Sequence, residues 1–110
     1  MEINVEREDG TMIAVVKGRV DSANAREFEQ VLTEAIGDDH NVVIDFAGLA
    51  YISSSGLRVL LMVAKSLRQR SAHLALCSLS TAIREVFEIS GFDKIIPIHD
   101  TRAEAVAALG

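Results

Sequence analysis

The chain has 110 residues, 49% hydrophobic and 25% charged, with one proline and one cysteine. This describes a single globular domain spanning 1–110 and excludes a disordered, collagen-like or multidomain protein. The 16 acidic and 11 basic side chains give a formal charge of −5, which argues against nucleic acid as a direct partner, because phosphate binding needs clustered positive charge. Cys77 has no partner for an intramolecular disulfide and no Cys/His spacing suits a metal, so no stapled secreted protein and no zinc site is expected.

Met1 to Glu6 is acidic and alternating where a signal peptide would be basic and then apolar. The longest apolar run, Val59 to Ala64, falls far short of the ~20 residues that span a bilayer. The expected location is therefore cytoplasmic, with no membrane insertion. Ile3, Val5 and Arg7 alternate with Glu2, Asn4 and Glu6, which predicts an edge strand. Asp9-Gly10 supplies a hairpin turn into a more central strand, Met12 to Lys17. From Asn24 the period becomes helical through Ala25, Phe28, Val31, Leu32, Ala35 and Ile36, with Asn24 and Glu27 as a cap pair and Gly37 as the stop.

Val42 to Phe46 reads as a parallel strand buried on both faces, with Gly48 turning the chain out of it. A second helix is expected from Gly56 to about Arg70, carrying Leu57, Leu60, Leu61, Ala64 and Leu67, and Leu74 to Cys77 as another buried strand. Ser80 or Thr81 caps a third helix bearing Ile83, Val86 and Phe87, closed at Gly91 with Phe92 folded back on Phe87. Ile95 and Ile96 read as a last strand limited by Pro97, and Thr101 with Glu104 as a capping box for a final helix. The fold class is thus α/β, a mixed, largely parallel β-sheet with an N-terminal hairpin and helices packed on it.

Chemistry concentrates at Tyr51-Ile52-Ser53-Ser54-Ser55-Gly56-Leu57-Arg58, where three hydroxyls meet a helix N-terminus. The first helical N–H groups lack internal acceptors and the dipole there is positive, so an anion, including a phosphate on serine, is tolerated. The plainer reading is that Ser54 or Ser55 caps the helix. No catalytic residue emerges: Ile52 stands where a nucleophile elbow needs glycine, and both glycine-rich phosphate-binding motifs are absent. His40, His73 and His99 are scattered, Asp38-Asp39 reads as a solvated loop, and Asp45 is expected to accept from neighbouring backbone N–H groups. No enzyme and no cofactor is expected. Arg58, Lys65, Arg68 and Arg70 give the second helix four basic side chains and no acid from 58 to 70, suited either to the helix dipole or to steering an acidic partner. The apolar stretch from Leu57 to Ala64 is read as mainly buried, with part of it available to a partner.

Asp45-Phe46-Ala47-Gly48-Leu49 followed by Tyr51-Ile52-Ser53-Ser54-Ser55-Gly56-Leu57 resembles the signature of STAS domains, specifically bacterial anti-sigma factor antagonists. The resemblance runs the whole chain, through Gly18-Arg19-Val20-Asp21-Ser22 and the segment from Phe87 to Ile98. It implies a single STAS-like domain acting as a switch. The unmodified antagonist binds an anti-sigma factor that is also a serine kinase, freeing a sigma factor, and phosphorylation ends the complex. The matching acceptor is Ser54, with Ser53 and Ser55 as alternatives, because Ser53 replaces the usual aspartate. Ser53, Ser54, Ser55, Gly56, Leu57 and Arg58 are the implied partner-binding residues. ATP and Mg²⁺ would belong to the kinase, and a serine phosphatase would reverse the modification. The resemblance also fits a non-catalytic STAS subunit of a lipid-transport or signalling complex, and a small-anion site at the same terminus is a third reading. The chain is expected to be a monomer or weak dimer.

Overall fold

The structure is a computed structural model and describes residues 1–109. Strand β1 (Glu2–Glu8) turns at Asp9-Gly10 and pairs antiparallel with β2 (Thr11–Val20). Both turn residues have positive φ, 50° and 77°, the geometry for which Asp-Gly is suited. Helix α1 (Ala25–Ile36) leads to β3 (Asn41–Ile52), α2 (Ser54–Gln69), β4 (His73–Cys77) and α3 (Thr81–Ser90). A 3₁₀ turn at Phe92–Lys94, the short β5 (Ile98–His99) and α4 (Arg102–Leu109) complete the chain. The sheet order is β1-β2-β3-β4-β5, parallel from β2 onward.

The strands divide the interior in two because successive side chains point to opposite faces. Met12, Ala14, Val16, Val42, Ile44 and Phe46 face α1, α2 and α3, forming the main core with Phe28, Leu32, Leu60 and Phe87. Ile13, Val15, Val43, Ala75 and Cys77 face the other way and are covered by Ala105 and Val106 of α4. Burial on both faces explains the unbroken apolar runs of β2 and β3.

Several boundaries differ from the sequence reading. Gly48 does not turn the chain out of β3, which continues to Ile52. The reason is that β2 also runs on to Val20, so each extension gives the other its ladder, with irregularities in pairing between Val15 and Lys17 and between Gly18 and Arg19. Asn24 does not cap α1 with its side chain; its amide accepts from the Asp21 N–H and donates to the Arg19 carbonyl, bracing the β2–α1 loop. Ile95 and Ile96 are not a strand. Ile95 ends the 3₁₀ turn in helical geometry, and Ile96 is fully buried in the main core. The strand begins only after Pro97, whose carbonyl accepts from Leu76 at 2.9 Å while its missing N–H leaves no ladder bond unmade. Gly91 does close α3 in the left-handed conformation, and the Phe87 and Phe92 rings meet edge to face at 6.4 Å.

Candidate functional site

The serine junction lies at the end of β3, and three contacts fix its geometry. The Ser53 N–H donates to the Val20 carbonyl at 2.8 Å, tying the loop to the end of β2. The Ser53 hydroxyl accepts from the Gly56 N–H at 3.3 Å, and the Leu57 N–H reaches the Ser53 carbonyl at 3.0 Å. Ser53 is therefore the N-cap, in extended geometry, and not Ser54 or Ser55 as the sequence suggested. Its position follows from Gly56, where an added Cβ would stand 2.7 Å from Ile52 Cγ1 and 2.8 Å from Val20 Cγ1. Only glycine lets the first turn of α2 press this closely on the strand ends.

Gly56→Ala is expected to destabilise the domain by about 1–2 kcal/mol, because two packed β-branched side chains must shift, partly offset by alanine's better helix propensity. Urea unfolding measures it; unchanged stability would show that α2 can ride outward at no cost.

With Ser53 capping, the three serines are unequal. Ser54 is exposed at the first helical position, Ser55 is half-buried, and Gly56 and Leu57 are buried beneath them. The first turn carries no acidic side chain, so the N–H groups of Ser54 and Ser55 and the positive end of the dipole are unopposed. Farther along, Arg58, Met62 and Lys65 lie on the exposed face, with Met62 46% exposed. Met62 is the part of the apolar stretch left open; Leu57, Val59, Leu60, Val63 and Ala64 are buried as expected.

The basic helix splits into two jobs. Arg70 donates to the carbonyls of Gly37, Asp38 and Asp39, at 2.7 Å for Asp39, and so ties the α1–β3 loop to the end of α2. Arg68 reaches the Ile95 carbonyl at 3.3 Å. Asp38-Asp39 is thus more than a solvated loop: Asp39 also forms a two-pronged pair with Arg7 at 2.8 and 2.9 Å, which lowers the pKa of its carboxyl. Arg58 and Lys65 are left as the cations turned to solvent beside the serines and Met62.

Asp45 accepts from the Ala47 N–H at 2.9 Å, as the sequence suggested. Its other oxygen takes both Nε and Nη2 of Arg102, at 3.1 and 3.0 Å, while Arg102 Nη1 contacts Glu6 at 2.7 Å and Glu8 at 3.5 Å. This network, which the sequence reading missed, ties α4 to β1 and β3. The guanidinium is held charged, chiefly by the Glu6 hydrogen bond.

No group of three or more metal-type side chains is gathered among the described residues. Cys77 is fully buried, and its burial pushes the thiol pKa up, away from a nucleophilic form. His40 and His73 lie at the start of β3 and β4, the opposite end of the sheet from Ser53. A cavity of about 240 Å³ between α1 and α2 is lined by Glu29, Thr33, Met62, Ser66 and Arg70 and does not include Ser53, Ser54 or Ser55. No helix among the described residues is long and apolar enough to cross a membrane.

Residues 2–105 match the STAS domain family model. The chain belongs to the STAS domain family. A protein of Bordetella bronchiseptica named "Putative anti-sigma factor antagonist BtrV" is 47% identical over 98% of this chain and 94% of that one. Among solved structures, an anti-sigma factor antagonist from Mycobacterium paratuberculosis superposes with a TM-score of 0.89 at 26% identity, covering 98% of this chain and 92% of that one. The anti-sigma factor antagonist SpoIIAA in its unphosphorylated form gives 0.79 at 22% identity, covering 97% and 95%. These STAS likenesses agree with the mixed five-stranded sheet and the order of its helices.

Proposed function

We propose that this STAS domain is an anti-sigma factor antagonist that binds a serine-kinase anti-sigma factor through Ser53, Ser54, Ser55 and Arg58, with Gly56 and Leu57 buried beneath them as the support of that turn and not as contacts, and that phosphorylation of Ser54 ends the complex. The carrying observation is the inequality of the serines: Ser53 is committed to the cap and Ser55 is half-buried, while Ser54 presents its hydroxyl to solvent at the first helical position. A kinase can reach that hydroxyl without unfolding the domain. The phosphate, about −1.5 to −2 charges, would be accepted locally by the free helix N–H groups while adding charge and hydration to a surface a partner must desolvate. Binding is then lost with no change of fold.

The 47% identity to BtrV supports the antagonist role, and the exposed stripe of Arg58, Met62 and Lys65 supplies a patch of mixed apolar and cationic character beside the switch. The chain itself acts as substrate: ATP and Mg²⁺ belong to the kinase, and a serine phosphatase restores the hydroxyl. Pull-downs from the source cells in ADP and in ATP, followed by phosphosite mapping, test the reading. An anti-sigma factor is expected in ADP, and one phosphate on Ser54 in ATP, abolished by Ser54→Ala. A phosphate on Ser53, Ser55 or Thr81 would reassign the acceptor, and absence of any anti-sigma factor would overturn the role.

A further inference from the structure

The face of the sheet opposite α1 and α2 is only partly covered. Helix α4 closes it over Ile13, Val15, Val43 and Cys77, but the extensions of β2 and β3 run beyond α4. There Lys17 and Arg19 project from β2 on the face of Ile13 and Val15, since Val16 and Val20 are committed to the main core. Arg19 sits opposite Tyr51 in the ladder, and its guanidinium carbon lies 4.5 Å from the centre of the tyrosine ring. Tyr51 is 40% exposed, and Arg19 has no ion-pair partner among the described residues. An aromatic ring left in water with a guanidinium stacked on it buries little and adds little stability at an exposed site. It does hold in one orientation two of the three residue types enriched among energetically dominant interface contacts.

The pair is also continuous with the serine junction. The next residues along each strand, Val20 and Ile52, are partners in the ladder, and the Val20 carbonyl receives the Ser53 N–H at 2.8 Å. Arg19 and Tyr51 thus flank the strand ends on one face while Ser54 and α2 flank them on the other.

We infer that Arg19 and Tyr51 form a docking surface for a carboxylate of the same protein partner, so that the partner grips the β3–α2 junction from both faces of the sheet. This rests on the antagonist reading above. The planar guanidinium donates two parallel hydrogen bonds to the carboxylate, the ring covers its apolar flank, and Lys17 adds charge attraction. The stacking removes part of the ordering cost of binding, since the guanidinium is already placed.

The test uses the full chain against the purified anti-sigma factor recovered in ADP, by surface plasmon resonance, with Ser54→Asp as the comparison variant. Arg19→Ala and Tyr51→Ala are each expected to raise Kd at least tenfold, Arg19→Lys to recover only part of the loss, and Tyr51→Phe to bind as the parent does. The double variant should lose less than the two single losses combined, because each residue acts through the other. Thermal unfolding of each variant verifies the fold. Parent-like binding by both alanine variants, with Ser54→Asp impaired, overturns this surface and leaves the antagonist reading standing. Loss in both with Ser54→Asp unaffected keeps the surface and moves the switch away from Ser54. A parent chain that binds no anti-sigma factor overturns both.

Discussion

Arg102→Ala is expected to cost about 3 kcal/mol of stability, the largest loss from any single side chain outside the hydrophobic core. The Asp45 carboxylate is only 8% exposed, and one of its oxygens is satisfied by the Arg102 guanidinium alone through two donors. Removing the guanidinium leaves a buried charge with the Ala47 N–H as its remaining partner. Deleting one member of a buried pair is costly for that reason, even where the intact pair adds little over an apolar replacement. The Arg102 side chain is 27% exposed, and its contacts with Glu6 and Glu8 are screened, so the Asp45 contact dominates the loss. For a domain of this size the melting temperature should fall by roughly 10–20 °C. Asp45→Asn combined with Arg102→Met should recover much of the difference, since neither charge is then stranded. Urea denaturation of the two single variants and the double variant measures the coupling. A loss below about 1 kcal/mol for Arg102→Ala would mean that α4 moves and lets water reach Asp45.

What the sequence could and could not show follows from the range of each interaction. The hairpin, the amphipathic α1 and the closure of α3 at Gly91 are specified by residues within one turn or one alternation of each other, so periodicity exposes them. The extension of β3 past Gly48 is different: glycine is locally a break signal, and only the parallel pairing with the end of β2 outweighs it. Three successive serines offer the same capping chemistry, and the choice of Ser53 is made elsewhere, by the fit of Gly56 over Val20 and Ile52. Arg102 and Asp45 are separated by 57 positions and share no local pattern, so nothing short of the folded chain brings them together. The same holds for Arg19 and Tyr51, neighbours across the ladder and 32 positions apart in the chain. The serine junction at a helix N-terminus is legible because it is a local motif, whereas the surroundings that decide which serine caps and which stays exposed are not.

Ser54→Asp is expected to raise Kd for the anti-sigma factor by tenfold or more, about 1.4 kcal/mol, at both low and high salt. Aspartate at the first position of α2 meets free N–H groups and the positive end of the dipole, so the isolated domain should be as stable as the parent or gain ~0.3–1 kcal/mol. Weaker binding by an equally stable protein separates damage to the interface from damage to the fold. The charge must be desolvated within the contact, so the loss should lie mainly in faster dissociation and resist screening. Lys65→Glu supplies the contrast: this cation is exposed farther along α2, and unlike Arg68 and Arg70 it supports no backbone carbonyl. Reversing its charge should slow association at low salt and lose its effect as ionic strength passes 0.1 M, where the screening length is about 10 Å. Surface plasmon resonance of both variants across salt concentrations distinguishes contact from steering. If Ser54→Asp binds as tightly as the parent throughout, no partner surface covers that hydroxyl, and a phosphate there could not end the complex by the desolvation and repulsion on which the proposed switch depends.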